Sequence, residues 1–397
     1  MSRKRAPGLA IGVIAVALAG SLALGLPGRG IGAATNQSRT DASKAGRITR
    51  EDGVAIAKKA VAAAEAAPTT FHAPGPAFNA APARGKTVWL VTIPAVPYAS
   101  LIDAGLKQAA KAAGLKLVIY DGQGTVPKYS QGINQGISQK ANVIVEAQIP
   151  AQLFSQDIAK AKKAGIPVIV IENEDPGPLP PTAPPGVVAA ADQPHQAVGK
   201  LMADFTIADS GGTGKVVVLW SSDAKGIGVP QLKGITDEFK RLAPNMTVET
   251  RDVPVARWTS DLPTLTGTLI ADPNVKYLLP LYDGMVLNML PAVHAANAQD
   301  RVKIVSFNAL PAMMTSLSKG DVVAADVGTS GQQLGWALAD QILRVLTHHK
   351  PVLNIQLPIR LFDGHNIGSI NLSAPQPTWY GNVNFAAGYE KLWGLKK

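Results

Sequence analysis

Between Thr87 and Asp121 the spacing of apolar residues changes twice. Val88, Trp89, Leu90, Val91 and Ile93 form a nearly continuous apolar run, which suits a strand covered on both faces. Leu101, Leu106, Ala109, Ala110 and Ala113 then recur at helical spacing, and Gly114 stands where a left-handed residue ends a helix most cheaply. Leu117, Val118 and Ile119 return to strand spacing, completing one βαβ unit. The same alternation predicts further strands at 142–146, 167–171 and 187–190, with helices at 99–113, 129–140 and 151–164. A second series runs through strands at 215–220, 246–251, 276–280, 302–306 and 321–326. Its helices are expected at 194–209, 228–242, 260–271, 283–297, 310–318 and 331–347. Strict alternation in two sets predicts an α/β protein with two doubly wound lobes of parallel sheet. Open sheets of this kind bind ligands at the carboxyl ends of their strands, and Pro94 to Ala99 is the first loop at such an end.

The flanks follow a different pattern. Ser2-Arg3-Lys4-Arg5 precedes an uncharged apolar run from Leu9 to Leu26, and Gly32-Ala33-Ala34 offers small residues for cleavage. This reads as an export leader over residues 1–34, with an uncleaved membrane anchor as the alternative. Residues 35–85 read as a spacer or arm with one helix over about 50–66, capped by Thr49 and followed by the loop FHAPGPAFNAAPARG. The tail over 372–397 holds Trp379, Tyr380, Phe385, Tyr389 and Trp393, enough rings to predict that it packs against the body.

Composition narrows the chemistry. The chain of 397 residues has no cysteine, which rules out disulfides, thiolate metal sites and a thiol nucleophile. The net charge of +10 falls to +6 once the four cations of the leader are removed. The remaining Lys and Arg are scattered along amphipathic helices, without interleaved aromatics, so no nucleic-acid partner is expected. Six histidines show no metal-ligand spacing, and no metal or other cofactor is expected. Ser210-Gly211-Gly212-Thr213-Gly214-Lys215 precedes a strand and lacks the phosphate-loop spacing, and no GxSxG nucleophile elbow occurs.

Several local texts carry a resemblance in co-linear order. They include LVTIPAVPYASLIDAGLKQAAKAAG, YDGQGT at 120–125, AKKAGIPVIVIENED at 161–175 and AAADQPHQAVGKLMADF at 189–205. KGITDEF at 233–239, LYDGMVLNML at 281–290, VKIVSFNALP at 302–311 and LSKGDVVAADVG at 317–328 continue the series. Over about Lys86 to Asp363 the chain resembles the type I periplasmic solute-binding proteins, the ribose-binding-like receptors of sugar ABC transporters. The resemblance implies an N-terminal lobe of 86–190 plus 330–358 and a C-terminal lobe of 191–329 plus 359–371. It implies a hinge of three strands crossing near Ala191, Thr329 and Pro358, and a solute held in the cleft. It also implies a monomer that works outside the cytoplasm and delivers its solute to a membrane permease.

The same resemblance nominates ligand contacts. Tyr98 stands in the first loop, where an aromatic covers a sugar face, but the following position is Ala99. Glu172-Asn173 replaces an Asp-Arg pair, keeping the acid and losing the guanidinium fork. In the second lobe Gln231 replaces an arginine, Trp258 falls at an aromatic position, Tyr282 replaces an asparagine and Asn308 an aspartate. Thr329 takes a hinge position that is often glutamine, and Asp283 is expected to cap the helix it begins. Rings and amides replace charged sugar grips, so the expected solute is a sugar or polyol, with a less hydroxylated aromatic or cationic solute as the alternative. A repressor of this fold would need a helix-turn-helix head where the leader stands. An enzyme would need a convergent nucleophile and base, and the strand ends supply neither. A receptor for a sensor or chemotaxis system would share the binding chemistry and differ only in its partner.

Overall fold

The computed structural model describes residues 48–395, and the leader lies outside them. β1 (Thr87–Thr92) buries Val88, Trp89, Leu90 and Val91, each worth about 1.5–3 kcal/mol of apolar burial. α2 (Pro97–Ala113) ends at Gly114 in the left-handed conformation, φ 70°, as its sequence predicts. The amide of Leu115 then donates back to the carbonyl of Ala110 at 2.8 Å, closing the helix end. β2 (Lys116–Asp121), α3 (Val126–Ser138), β3 (Val143–Ala147), α4 (Ser155–Lys163), β4 (Val168–Ile171) and β5 (Val187–Ala191) follow. They form a parallel sheet in the order β2-β1-β3-β4-β5. Residues 151–154, expected to open α4, form a separate 3₁₀ turn.

The second sheet is built from β6 (Lys215–Trp220), β7 (Thr247–Asp252), β8 (Val275–Pro280), β9 (Lys303–Phe307) and β10 (Val323–Gly328). Its helices are α5 (His195–Ser210), α6 (Lys225–Leu242), α7 (Trp258–Ala271), α8 (Asp283–Ala295) and α9 (Pro311–Ser318). A short strand absent from the sequence-based expectation, β11 (Arg360–Asp363), pairs antiparallel with β10 and makes the order β11-β10-β9-β8-β6-β7. Four residues, RLFD, with a charge at each end are too short and too polar to signal a strand. α10 (Gly331–Leu346) packs on α2 and β5 of the first sheet, although it follows a strand of the second. The chain therefore passes between the sheets after β5, between β10 and α10, and again between α10 and β11.

The flanks are structured. α1 (Arg50–Glu65) is capped by Thr49, whose hydroxyl accepts from the amide of Asp52 at 3.1 Å, and the helix lies on α5 and α6. α11 (Phe385–Leu392) and Trp393 close the tail, with Tyr389 and Trp393 almost wholly buried. Among the described residues no helix is long and apolar enough to cross a membrane.

Candidate functional site

The carboxyl ends of both sheets meet in one buried polar group. Glu172, the first residue after β4, is held at φ 57°, a left-handed conformation that non-glycine residues seldom adopt. Gln193, in the connection after β5, donates from Nε2 to Glu172 Oε2 at 2.7 Å. The Oε1 of Gln193 accepts from the hydroxyl of Tyr98 at 2.8 Å and from that of Thr329. One amide thus ties the first turn of α2, two of the connections between the sheets and the Glu172 carboxyl into a single network. Tyr98 and Thr329 are consequently engaged through their hydroxyls and buried.

His195, at the start of α5, brings Nε2 to 3.8 Å from Glu172 Oε2. Burial pushes the Glu172 carboxyl up to about 8, against the hydrogen bond from Gln193. Burial also pushes His195 down to about 3. Near neutrality both groups are uncharged, so they face each other without forming an ion pair. Four buried atoms of this group have no hydrogen-bond partner among the described residues: Glu172 Oε1, both ring nitrogens of His195 and the hydroxyl of Tyr282. Burial, with a further push from Glu172, drives the Tyr282 phenol well above its usual range. An unpaired buried polar atom costs about 1–3 kcal/mol, a cost that a hydrogen-bonding partner reaching these atoms would remove.

Trp258 adds a wall. Its ring lies 6.1 Å from that of Tyr282, tilted by 34°, and its indole N–H donates to Ser221 Oγ and to the carbonyl of Val253, each at 3.1 Å. Asn308 follows β9 with φ 123° and is buried, the counterpart in the second sheet of Glu172 in the first. Its loop is held from below by two acids. Asp283 accepts from Ser306 Oγ at 2.6 Å and from the amide of Leu310 at 2.7 Å, and Asp326 accepts from the amide of Ala309 at 3.0 Å. This corrects the expectation that Asp283 caps its own helix, whose N-cap is Tyr282. The carboxylate reaches across to the β9–α9 loop instead. Burial holds both acids above the usual range, and for Asp326 the charge of Asp283 adds to the effect.

Two nominated residues have other work. Asn173 accepts through Oδ1 from the amide of Ala151 at 2.9 Å and donates through Nδ2 to Glu146 and to the carbonyl of Ile171. Its amide therefore fixes the β3 and β4 loops. Gln231 is fully buried in α6 and donates from Nε2 to the carbonyl of Leu281 at 2.9 Å, which sets the residue before Tyr282. The sequence reading did not single out Gln193 or His195. Both lie within four residues of Ala191, the expected crossing, and that proximity was the only signal.

Two other features lie apart. A surface cleft of about 650 Å³ lies among Gly214, Lys276, Lys303 and Val323, at the amino ends of the second sheet's strands. Glu65, Asp363 and His365 bring ligand-capable atoms within 4.8 Å of one another, but the His365 side chain is 83% exposed. Parallel sheets place their chemistry at the opposite, carboxyl ends, where Glu172 and Tyr282 stand.

Comparison with known proteins agrees with this geometry. The family described as periplasmic binding protein domain matches residues 88–350. The chain is 21% identical over 292 residues to the ABC transporter periplasmic-binding protein YphF of Escherichia coli, covering 72% of this chain and 88% of the relative. It is 24% identical over 298 residues to the xylitol-binding protein of Mycolicibacterium smegmatis, covering 72% and 80%. An ABC transporter solute-binding protein of Agrobacterium vitis, solved with bound allitol, superposes with a TM-score of 0.63 at 18% identity over 72% of this chain and 98% of its own. With two wound lobes, a buried polar group between their strand ends and a family match spanning most of both, the chain belongs to the periplasmic binding protein family.

Proposed function

We propose that this protein captures one small polyol or sugar between its lobes outside the cytoplasm and hands it to an ABC importer, without turning it over. The observation that carries this reading is the set of unpartnered buried atoms on Glu172, His195 and Tyr282, contributed by elements of both sheets. Hydroxyl groups donate and accept at once, so a polyol can satisfy a carboxyl oxygen, an imidazole and a phenol together. The rings of Trp258 and Tyr282 supply an apolar wall for the C–H face of such a solute. The xylitol-binding relative and the allitol-bound neighbour support the same class.

A cationic solute is the second reading, favoured by the unpaired oxygen of Glu172 beside aromatic rings. Thermal-shift screening of the purified protein against pentitols, hexitols, aldoses and small amines separates the two. A polyol or aldose is expected to raise the melting temperature, with one site by calorimetry and the solute recovered unchanged. Stabilisation by amines alone would transfer the site to the second reading, and release of a product would defeat both.

A further inference from the structure

The segments on either side of the family match, 48–87 and 351–395, connect the two lobes a second time. α1 is anchored on the second sheet's side: Ala57 and Val61 join the core of Val198 and Leu242. Seventeen residues after Val61 the chain is anchored on the other side, where Phe78, Ala80 and Ala83 join the core of Leu106 and Leu343, with Phe71 packed against that core on the way. There the guanidinium of Arg344 lies 4.5 Å over the Phe78 ring. The tail repeats the passage. Trp379 and Tyr380 belong to the second sheet's core, while Tyr389, Leu392 and Trp393 belong to the first. Trp393 stacks on Trp336 at 5.5 Å and donates its indole N–H to Asp340 at 2.9 Å.

The two passages also hold each other. A side chain at Gly381 would meet the carbonyl oxygen of Pro68 at 2.2 Å, and Phe71 packs on Tyr389 at 4.9 Å between ring centres. The amides of Phe78 and Ala80 donate to the carbonyls of Leu392 and Trp393 at 2.9 and 3.0 Å. Both passages run beside the hinge. Residues 66–70 share a surface cleft with Pro194 and Pro358, which lie in two of the three connections. The Tyr380 hydroxyl abuts Gly328, next to the third.

We propose that residues 66–71 and 380–385 form a double strap that turns a hinge of three chains into one of five and holds the lobes near their shut position. The proposal rests on the solute-binding reading and concerns how that site opens. Rotation about three thin connections is soft, whereas here it must also shear two short passages: one runs from Glu65, whose carbonyl accepts from Arg360 of β11, to Phe71 on Tyr389, and the other from buried Tyr380 to Phe385, which packs against the first core. Each passage spans at most about 20 Å when fully extended, which bounds how far its anchors can part. A site kept near its binding-competent form loses less affinity to the open population and exchanges solute slowly.

The absence of native cysteine makes the test direct. Nitroxide labels at Gln131→Cys and Lys233→Cys, one on each lobe, report the distance between the lobes by pulsed electron spin resonance. Inserting Gly-Ser-Gly-Ser between Gly381 and Asn382 loosens one passage and keeps every anchor; a second variant carries the same insertion between Ala67 and Pro68. Without solute, the unmodified hinge is expected to give a single narrow distribution and either insertion a longer, broader one, with xylitol affinity reduced about tenfold. Ligand-free distributions that superimpose in a variant that melts cooperatively would overturn the strap. Failure of xylitol to bind any form would count against the solute assignment, while the ligand-free distances would still decide the strap.

Discussion

Replacing Glu172 with alanine is expected to weaken solute binding by roughly 30- to 5,000-fold, the equivalent of the 2–5 kcal/mol lost when one partner of a buried, charge-capable contact is removed. The same change should lower the melting temperature of the ligand-free protein only modestly. Removing Glu172 relieves the cost of its unpartnered Oε1 but leaves Gln193 Nε2 without its acceptor, and the two effects oppose each other. The pH dependence has a definite sign. The folded Glu172 titrates at about 8, against an unfolded value of 4.5, so the folded chain keeps a proton over that window that the unfolded chain has lost. Its contribution to ligand-free stability is therefore fully present below pH 4.5 and falls as pH rises toward 8. Asp192, pushed by burial up to about 7, acts in the same direction. Glu172→Gln, which cannot titrate, should flatten this fall in thermal melts at pH 5, 7 and 9. An unchanged affinity in Glu172→Ala would remove the residue from the site.

Gly226→Ala is expected to lower affinity at least about tenfold while leaving the ligand-free fold intact. Gly226 lies in the first turn of α6, and a Cβ there would fall 1.5 Å from the carbonyl oxygen of Asn173, the residue after Glu172. That contact joins the loop after β4 to the second sheet's lobe, and backbone on both sides leaves nothing flexible to yield. A methyl group must hold the lobes apart, shifting population away from the form in which the site is complete. Calorimetry measures the affinity, and small-angle scattering should show a larger radius of gyration in the presence of saturating solute than for the unmodified protein. Equal affinity and equal dimensions would mean that this approach of the lobes is not part of binding.

Much of the fold was legible because parallel strands buried on both faces must be continuously apolar and their helices amphipathic. The runs from Val88 and Val216 announced their strands, and Gly114 announced a helix end, without any knowledge of the partners they pack against. β11 was silent because four residues show no period and what fixes them is distant: their ladder is with β10, and the Arg360 side chain donates to the carbonyls of Glu65 and Trp379. The site was legible in part. The resemblance nominated Glu172, Tyr282 and Trp258, and the structure sets Trp258 beside Tyr282 and Tyr282 in the field of Glu172. Nothing local in the sequence shows that Asn173 and Gln231 place their amides on backbone groups, because those bonds span 22 and 50 residues. Gln193 escaped for the same reason: its role comes from meeting Tyr98, Glu172 and Thr329 in space. Gly226 lies before the helix expected at 228–242, and only the fold sets the carbonyl of Asn173 opposite it.

A crystal structure of the complex with the most stabilising polyol tests the assignment most directly. The solute should lie between the lobes, with an oxygen within hydrogen-bonding distance of Glu172 Oε1 and another near the Tyr282 hydroxyl. Density for the solute elsewhere, or a Glu172–His195–Tyr282 group that stays closed and empty beside it, would contradict it.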